Sequence, residues 1–123
     1  MRILIGDDEP QICRLVRDVL RPAGYDLDIR RDGRRILDDY QTGDYSLLIL
    51  DTLMAQASGL EVVMRLRDRG DAVPIILMFG PRKEPDRVET FAFSYRVHLL
   101  RKPFGVAELR DTVDRALRLS RPD

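Results

Sequence analysis

A chain of 123 residues, 44% hydrophobic and 34% charged, suits one soluble globular domain, and residues 1–123 are read as that single unit. Its 21 basic residues balance its 21 acidic ones, and nothing in that balance argues for a nucleic-acid or membrane-surface binder. The lone cysteine, Cys13, excludes an intrachain disulfide. No apolar run approaches the roughly 18 residues that would span a bilayer, and the N-terminal apolar stretch is too short for a signal peptide, so the expected location is the cytoplasm.

Ile3-Leu4-Ile5 is a short buried strand. Pro10 suits a helix start, and Ile12, Leu15, Val16, Val19 and Leu20 recur at helical spacing until Gly24 ends the segment. Tyr25, Leu27 and Ile29 alternate with charged residues, the pattern of a half-exposed strand. Ile36, Leu37 and Tyr40 mark a second helix, and Gly43-Asp44 a turn. Ser46 to Leu50 is a continuous apolar run ending at Asp51, as expected of a central parallel strand covered on both faces. A loop leads to Gly59. Leu60, Val63 and Leu66 mark a third helix, closed by Gly70. Pro74 to Phe79 is another apolar strand, Pro85 to Phe93 a short helix and Val97 to Leu100 the last strand. Pro103 breaks it, and Leu109, Val113, Ala116 and Leu117 form a final amphipathic helix.

Five strands and five helices in strict alternation argue a doubly wound α/β fold, with a parallel sheet covered on both faces. In such folds ligands lie beyond the carboxyl ends of the strands, where strand order reverses. The residues at those ends are Asp7 and Asp8, Asp51, Phe79-Gly80, and Lys102-Pro103. Each alone is ordinary, since an Asp after a strand is most often a cap or turn residue. Together they bring three carboxylates and one amine to one edge. Three close carboxylates repel unless compensated, and an all-oxygen site of this kind suits Mg²⁺ (or Mn²⁺). A carboxylate can also act as a nucleophile and form an aspartyl-phosphate, with the protein neutralising charge on the phosphoryl oxygens.

Ile3 to Pro10, Leu47 to Met54, Gly59-Leu60-Glu61 and Lys102-Pro103-Phe104 resemble the response-regulator receiver family of two-component phosphorelays, over essentially the whole chain. The resemblance implies a CheY-like, flavodoxin-like sheet of order 2-1-3-4-5. It makes Asp51 the phosphoacceptor and Lys102 a phosphoryl contact. It implies metal ligation by Asp7, Asp8, Asp51 and the backbone carbonyl of Leu53, and a cis Lys102-Pro103 bond. It describes a signalling module rather than a general enzyme, one that promotes its own phosphotransfer and dephosphorylation. The implied partners are a sensor histidine kinase or phosphotransfer protein and a downstream effector, with no direct nucleic acid and no membrane.

The chain departs from the family's pattern where the signal is read out. Receivers usually carry Thr or Ser after the fourth strand, a hydroxyl that bonds the phosphoryl group and moves on activation. Phe79 stands there, and no Ser, Thr or Tyr occurs from Pro74 to Glu89. The usual aromatic three residues before the lysine is Leu99, the usual Pro after Asp-x-x-Met is Ala55, and the usual Gly-Ala before the fifth strand is Tyr95-Arg96. Leu53 and Pro81 occupy the positions that, by the same analogy, flank the path of hydrolytic water. An altered output switch is therefore expected, the alternative being a pseudo-receiver that binds partners without phosphorylation. A haloacid-dehalogenase-like phosphatase would want an acid two residues after its Asp nucleophile, where Leu53 stands. Arg30, Arg31, Arg34 and Arg35 are read as a solvated edge, and His98 as structural. Phe91, Phe93 and Tyr95 are divided between core packing and a partner surface, the latter a homodimer face formed by the fourth helix, fifth strand and fifth helix.

Overall fold

A computed structural model describes residues 1–80 and 85–119. The chain runs β1 (Arg2–Gly6), α1 (Pro10–Leu20), β2 (Asp26–Arg30), α2 (Gly33–Asp39), β3 (Leu47–Asp51), α3 (Gly59–Asp68), β4 (Ile75–Phe79), α4 (Pro85–Tyr95), β5 (His98–Arg101) and α5 (Val106–Leu119). The strands form one parallel sheet in the order β2-β1-β3-β4-β5, as expected. The chain reverses direction across the sheet between β1 and β3, which opens a crevice at their carboxyl ends.

The continuous apolar runs occupy the centre. Every residue of β3 and β4 is buried, whereas β2, at an edge, is only half covered. Alternation along the strands divides the core into two layers. Ile3, Ile5, Ile49, Ile76 and Met78 face α1 and α5. Leu4, Leu48, Leu50, Ile75 and Leu77 face α2, α3 and α4.

Boundaries differ from expectation by one to three residues. Helix α1 stops at Leu20, and Gly24 (φ +97°) lies in the turn that follows. Helix α3 starts at Gly59 because the Ser58 hydroxyl accepts from the Glu61 N–H at 3.2 Å, capping its first turn. Helix α4 continues to Tyr95, where Arg96 takes a left-handed φ of +57°. Pro81, one of the two residues expected beside the water path, lies outside the described residues.

Candidate functional site

Three strand ends build the site. After β1, the backbone turns so that the Asp7 carboxylate accepts the Glu9 N–H at 2.8 Å, which leaves Asp8 exposed between them. Asp7 is completely buried, and its backbone carbonyl also accepts the Cys13 thiol at 3.4 Å. Asp51 closes β3, with the Leu53 N–H donating to its carboxylate. Gly59 permits this layout, since a Cβ there would collide with the Asp51 carbonyl oxygen. Small size, rather than backbone freedom, is what the position requires.

Lys102 enters from beyond β5. Its N–H donates to the Phe79 carbonyl at 2.8 Å, extending the β4–β5 ladder, and the Lys102-Pro103 bond is cis. Its ammonium lies 2.9 Å from Asp7, 3.2 Å from Glu9 and 3.4 Å from Asp51. The structure thus brings Asp7, Asp8, Asp51 and Lys102 together. One carboxylate oxygen from each of the three aspartates lies within 4.8 Å of the others.

This arrangement is electrostatically frustrated. Burial first, and then the charge of Asp7, push the Asp51 carboxyl up to about 6, against the opposing pull of Lys102 and the Leu53 N–H. Burial likewise raises Asp7. Burial alone would lower Lys102, but its hydrogen bond to Asp7 and the charges of Asp51 and Asp7 outweigh it and raise the ammonium above its ordinary value. One ammonium faces Asp7, Asp51 and Glu9, with Asp8 beside them. A compact divalent cation with oxygen ligands fits what remains uncompensated, and this donor set contains only oxygen.

Beside the acids the surface is apolar. Phe79 ends β4 and is buried, and Leu99 on β5 is half-buried against the α3–α4 layer. The three aromatics of α4 divide. Phe91 and Tyr95 are half-buried and pack together with centroids 4.6 Å apart, while Phe93 is 88% exposed. His98 is half-buried, and burial first, then Arg115, lower its pKa.

Three features were not singled out in the sequence. Glu9, an acid two residues beyond Asp7, is a further partner of Lys102, its carboxylate 3.2 Å from the ammonium. Thr52, beside Asp51, is buried, and its hydroxyl has no hydrogen-bond partner. Arg67 bonds the backbone carbonyls of Tyr95, Arg96, Asp71 and Val73, tying the end of α3 to the end of α4. No local sequence pattern announces that contact.

The family model for the response regulator receiver domain matches residues 3–114. The chain is 36% identical over 116 residues to the transcriptional regulatory protein YkoG of Bacillus subtilis, covering 94% of this chain and 50% of that protein. It is 33% identical over 109 residues to the transcriptional regulatory protein DltR of Streptococcus agalactiae, covering 89% and 48%. The chain therefore spans about half the length of the curated relatives it matches. Among solved structures it is similar to the response regulator TrrA of Thermotoga maritima in complex with Mg²⁺-BeF, with a TM-score of 0.79, 33% identity, and 94% and 98% of the two chains covered. The chemotaxis response regulator CheY4 of Vibrio cholerae gives a TM-score of 0.82 at 27% identity, with 94% and 98% covered.

Proposed function

Because this chain belongs to the response-regulator receiver family and is a receiver domain of two-component signalling, we propose that it accepts a phosphoryl group on Asp51. The observation that carries the reading is the meeting of Asp51, Asp7 and the single ammonium of Lys102 within 3.4 Å of that ammonium. The Asp51 carboxylate attacks the phosphorus of the donor, a phosphohistidine of a kinase or phosphotransfer protein. A P–O bond to Asp51 forms, and the donor's bond to phosphorus breaks with its electron pair leaving on the donor. Lys102 meets a phosphoryl oxygen and offsets the charge that the group brings.

Asp7, Asp8, Asp51 and the Leu53 carbonyl would hold Mg²⁺ or Mn²⁺, which supplies the positive charge a buried three-carboxylate site needs. A raised Asp51 pKa makes such compensation functional as well as structural, since only the ionised carboxylate is a nucleophile. The domain promotes its own phosphorylation and dephosphorylation and works in the cytoplasm. Among the described residues no helix is long and apolar enough to cross a membrane.

The output is altered. Phe79 offers no hydroxyl to the phosphoryl group, and Leu99 has neither ring nor polar tip. The effector is a separate protein or a further domain, such as the remaining half of the transcriptional regulatory proteins that this chain resembles. An exposed Phe93 on α4 supports the α4–β5–α5 face as the surface for a partner or a second copy. Incubation with a small-molecule phosphodonor and Mg²⁺ should add one phosphoryl group, detected by intact mass. Asp51→Asn should take none, and undiminished labelling of that variant would refute the assignment.

A further inference from the structure

Glu9 stands at the N-cap of α1, where a Ser, Thr, Asp or Asn would turn its side chain back onto the first turn of the helix. The Glu9 side chain makes no such bond. Its backbone is engaged without it. The N–H donates to the Asp7 carboxylate at 2.8 Å, and the carbonyl accepts the N–H groups of Ile12 and Cys13, each at 3.2 Å. Starting the helix therefore leaves the carboxylate available for another use. It accepts instead from the Lys102 ammonium, 3.2 Å away and 93 residues further along the chain.

An ammonium has three N–H donors, and three carboxylates lie around this one: Asp7 at 2.9 Å, Glu9 at 3.2 Å and Asp51 at 3.4 Å. Asp7 and Asp51 belong, with Asp8, to the group of acids able to hold a cation, and Glu9 does not. A cation on the aspartates would compensate Asp7 and Asp51 and slacken their hold on the lysine. The hold of Glu9 would persist. It matters because the lysine stem is long and rich in rotamers. Glu9 grips the ammonium from the solvent side, its own side chain 55% exposed and that of Lys102 only 12%.

We infer that Glu9 is a positioning residue for Lys102: with a divalent cation on the aspartates, the Glu9 carboxylate keeps the ammonium anchored beside Asp51, ready for the phosphoryl group. The inference rests on the assignment of Asp51 above. Two effects of the Glu9 carboxylate oppose each other, since its charge repels an incoming anion while its bond holds the lysine in place. Solvent and salt weaken the repulsion from so exposed a group, whereas the bond is a direct contact, and the bond prevails.

Glu9→Met removes the acceptor at similar length. Glu9→Asp keeps the charge, shortens the reach by one methylene and offers α1 a conventional N-cap. Beryllofluoride with Mg²⁺, a stand-in for the phosphoryl group, is titrated at physiological ionic strength and followed by amide chemical shifts around residues 51–53. Both variants should bind about threefold more weakly than the unmodified protein, the aspartate variant without loss of thermal stability. Lys83 and Lys102 are the only lysines of the chain, so isotopic labelling of lysine follows the Lys102 side chain directly. In the Mg²⁺-loaded protein its two Cε protons should have distinct chemical shifts, which should converge in the methionine variant. Equal or tighter beryllofluoride binding by the methionine variant would overturn the inference, as would Lys102 signals unchanged by that substitution. If the unmodified protein neither binds beryllofluoride nor takes a phosphoryl label, it is the assignment of Asp51 that fails, and this inference with it.

Discussion

Asp51 and Asp71 are equally buried, each 6% exposed, and are built in opposite ways. Asp71 lies after α3, away from the carboxyl ends of the strands. Its carboxylate accepts the Tyr40 hydroxyl at 2.8 Å, the Thr42 hydroxyl at 3.0 Å and the Val73 N–H at 3.0 Å. Arg67, half-buried alongside, bonds the Asp71 carbonyl. Burial and then the bond to Asp71 hold the Tyr40 hydroxyl well above its ordinary pKa, so it remains a donor. Asp51 has acids for neighbours and one shared ammonium. A buried acid surrounded by donors joins segments of a fold. A buried acid surrounded by acids retains unspent affinity for positive charge. The same residue type thus serves as a fastener at one end of the sheet and, in the function proposed above, as a reactive group at the other.

Chemistry separates the two regions most sharply. Asp51→Asn should abolish labelling by a small phosphodonor, whereas Asp71→Asn should be labelled to the same extent as the unmodified protein at temperatures where both are folded, as read by mass. Loss of labelling in both would mean that the acid pocket depends on the distant network.

Stability should invert the ranking. Asp71→Ala leaves the Tyr40 and Thr42 hydroxyls and the Val73 N–H without their acceptor, at a cost of about 3 kcal/mol or more. Denaturant unfolding measures it, and a loss below about 1 kcal/mol would remove the distinction drawn here. Asp51→Asn should instead stabilise the metal-free protein.

The pH dependence of that gain follows from the raised carboxyl. Asp51 titrates near 6 in the folded chain, against an ordinary value of 3.8. Between those values the folded state binds more protons than the unfolded state. Its contribution to stability is therefore intact below about pH 4 and is lost as pH rises through about 6, by up to roughly 3 kcal/mol. Asp51→Asn should raise the metal-free melting temperature at pH 7.5 and change it little at pH 4. Mg²⁺ should narrow the difference at pH 7.5. A gain independent of pH would place its cause elsewhere.

Hydrolysis of the phosphoryl group should be slow, because Leu53 is apolar and 61% exposed beside the site, and cannot orient a water. Leu53→Asn, alone or with Pro81→Glu, should shorten the phosphoryl half-life several-fold. A half-life of seconds in the unmodified protein, or no change in the variants, would contradict this. The smallest effect concerns the distal face. Beryllofluoride with Mg²⁺ should shift amides around Asp51 and Lys102 and move those near Leu99 little. Phe79→Thr with Leu99→Tyr should enlarge the distal shifts. Distal shifts in the unmodified protein as large as those at the pocket would reveal another route for the signal.

The sequence by itself determined the architecture and the membership of the acid site. Hydrophobic periodicity is a local signal, and strict alternation of apolar strands and amphipathic helices leaves few topologies open. Asp7, Asp8, Asp51 and Lys102 were legible because each lies at or just beyond the end of a strand, and all strands of a parallel sheet end at one edge. Phe79 and Leu99 were legible as departures from a pattern fixed relative to those strands. What pairs with what was decided by the tertiary structure alone. Whether Phe91, Phe93 and Tyr95 packed inward or outward depended on the face that α4 presents to the sheet, and only Phe93 of the three is left exposed. The sharing of Lys102 among Asp7, Glu9 and Asp51, the grip of Arg67 on α4, the fastening of Asp71 by Tyr40 and the orphaned hydroxyl of Thr52 all depend on contacts between side chains or carbonyls brought together by packing. Hydrogen bonding requires partners within about 3 Å, and such proximity between remote segments is set by sheet register and helix docking, which local periodicity does not encode.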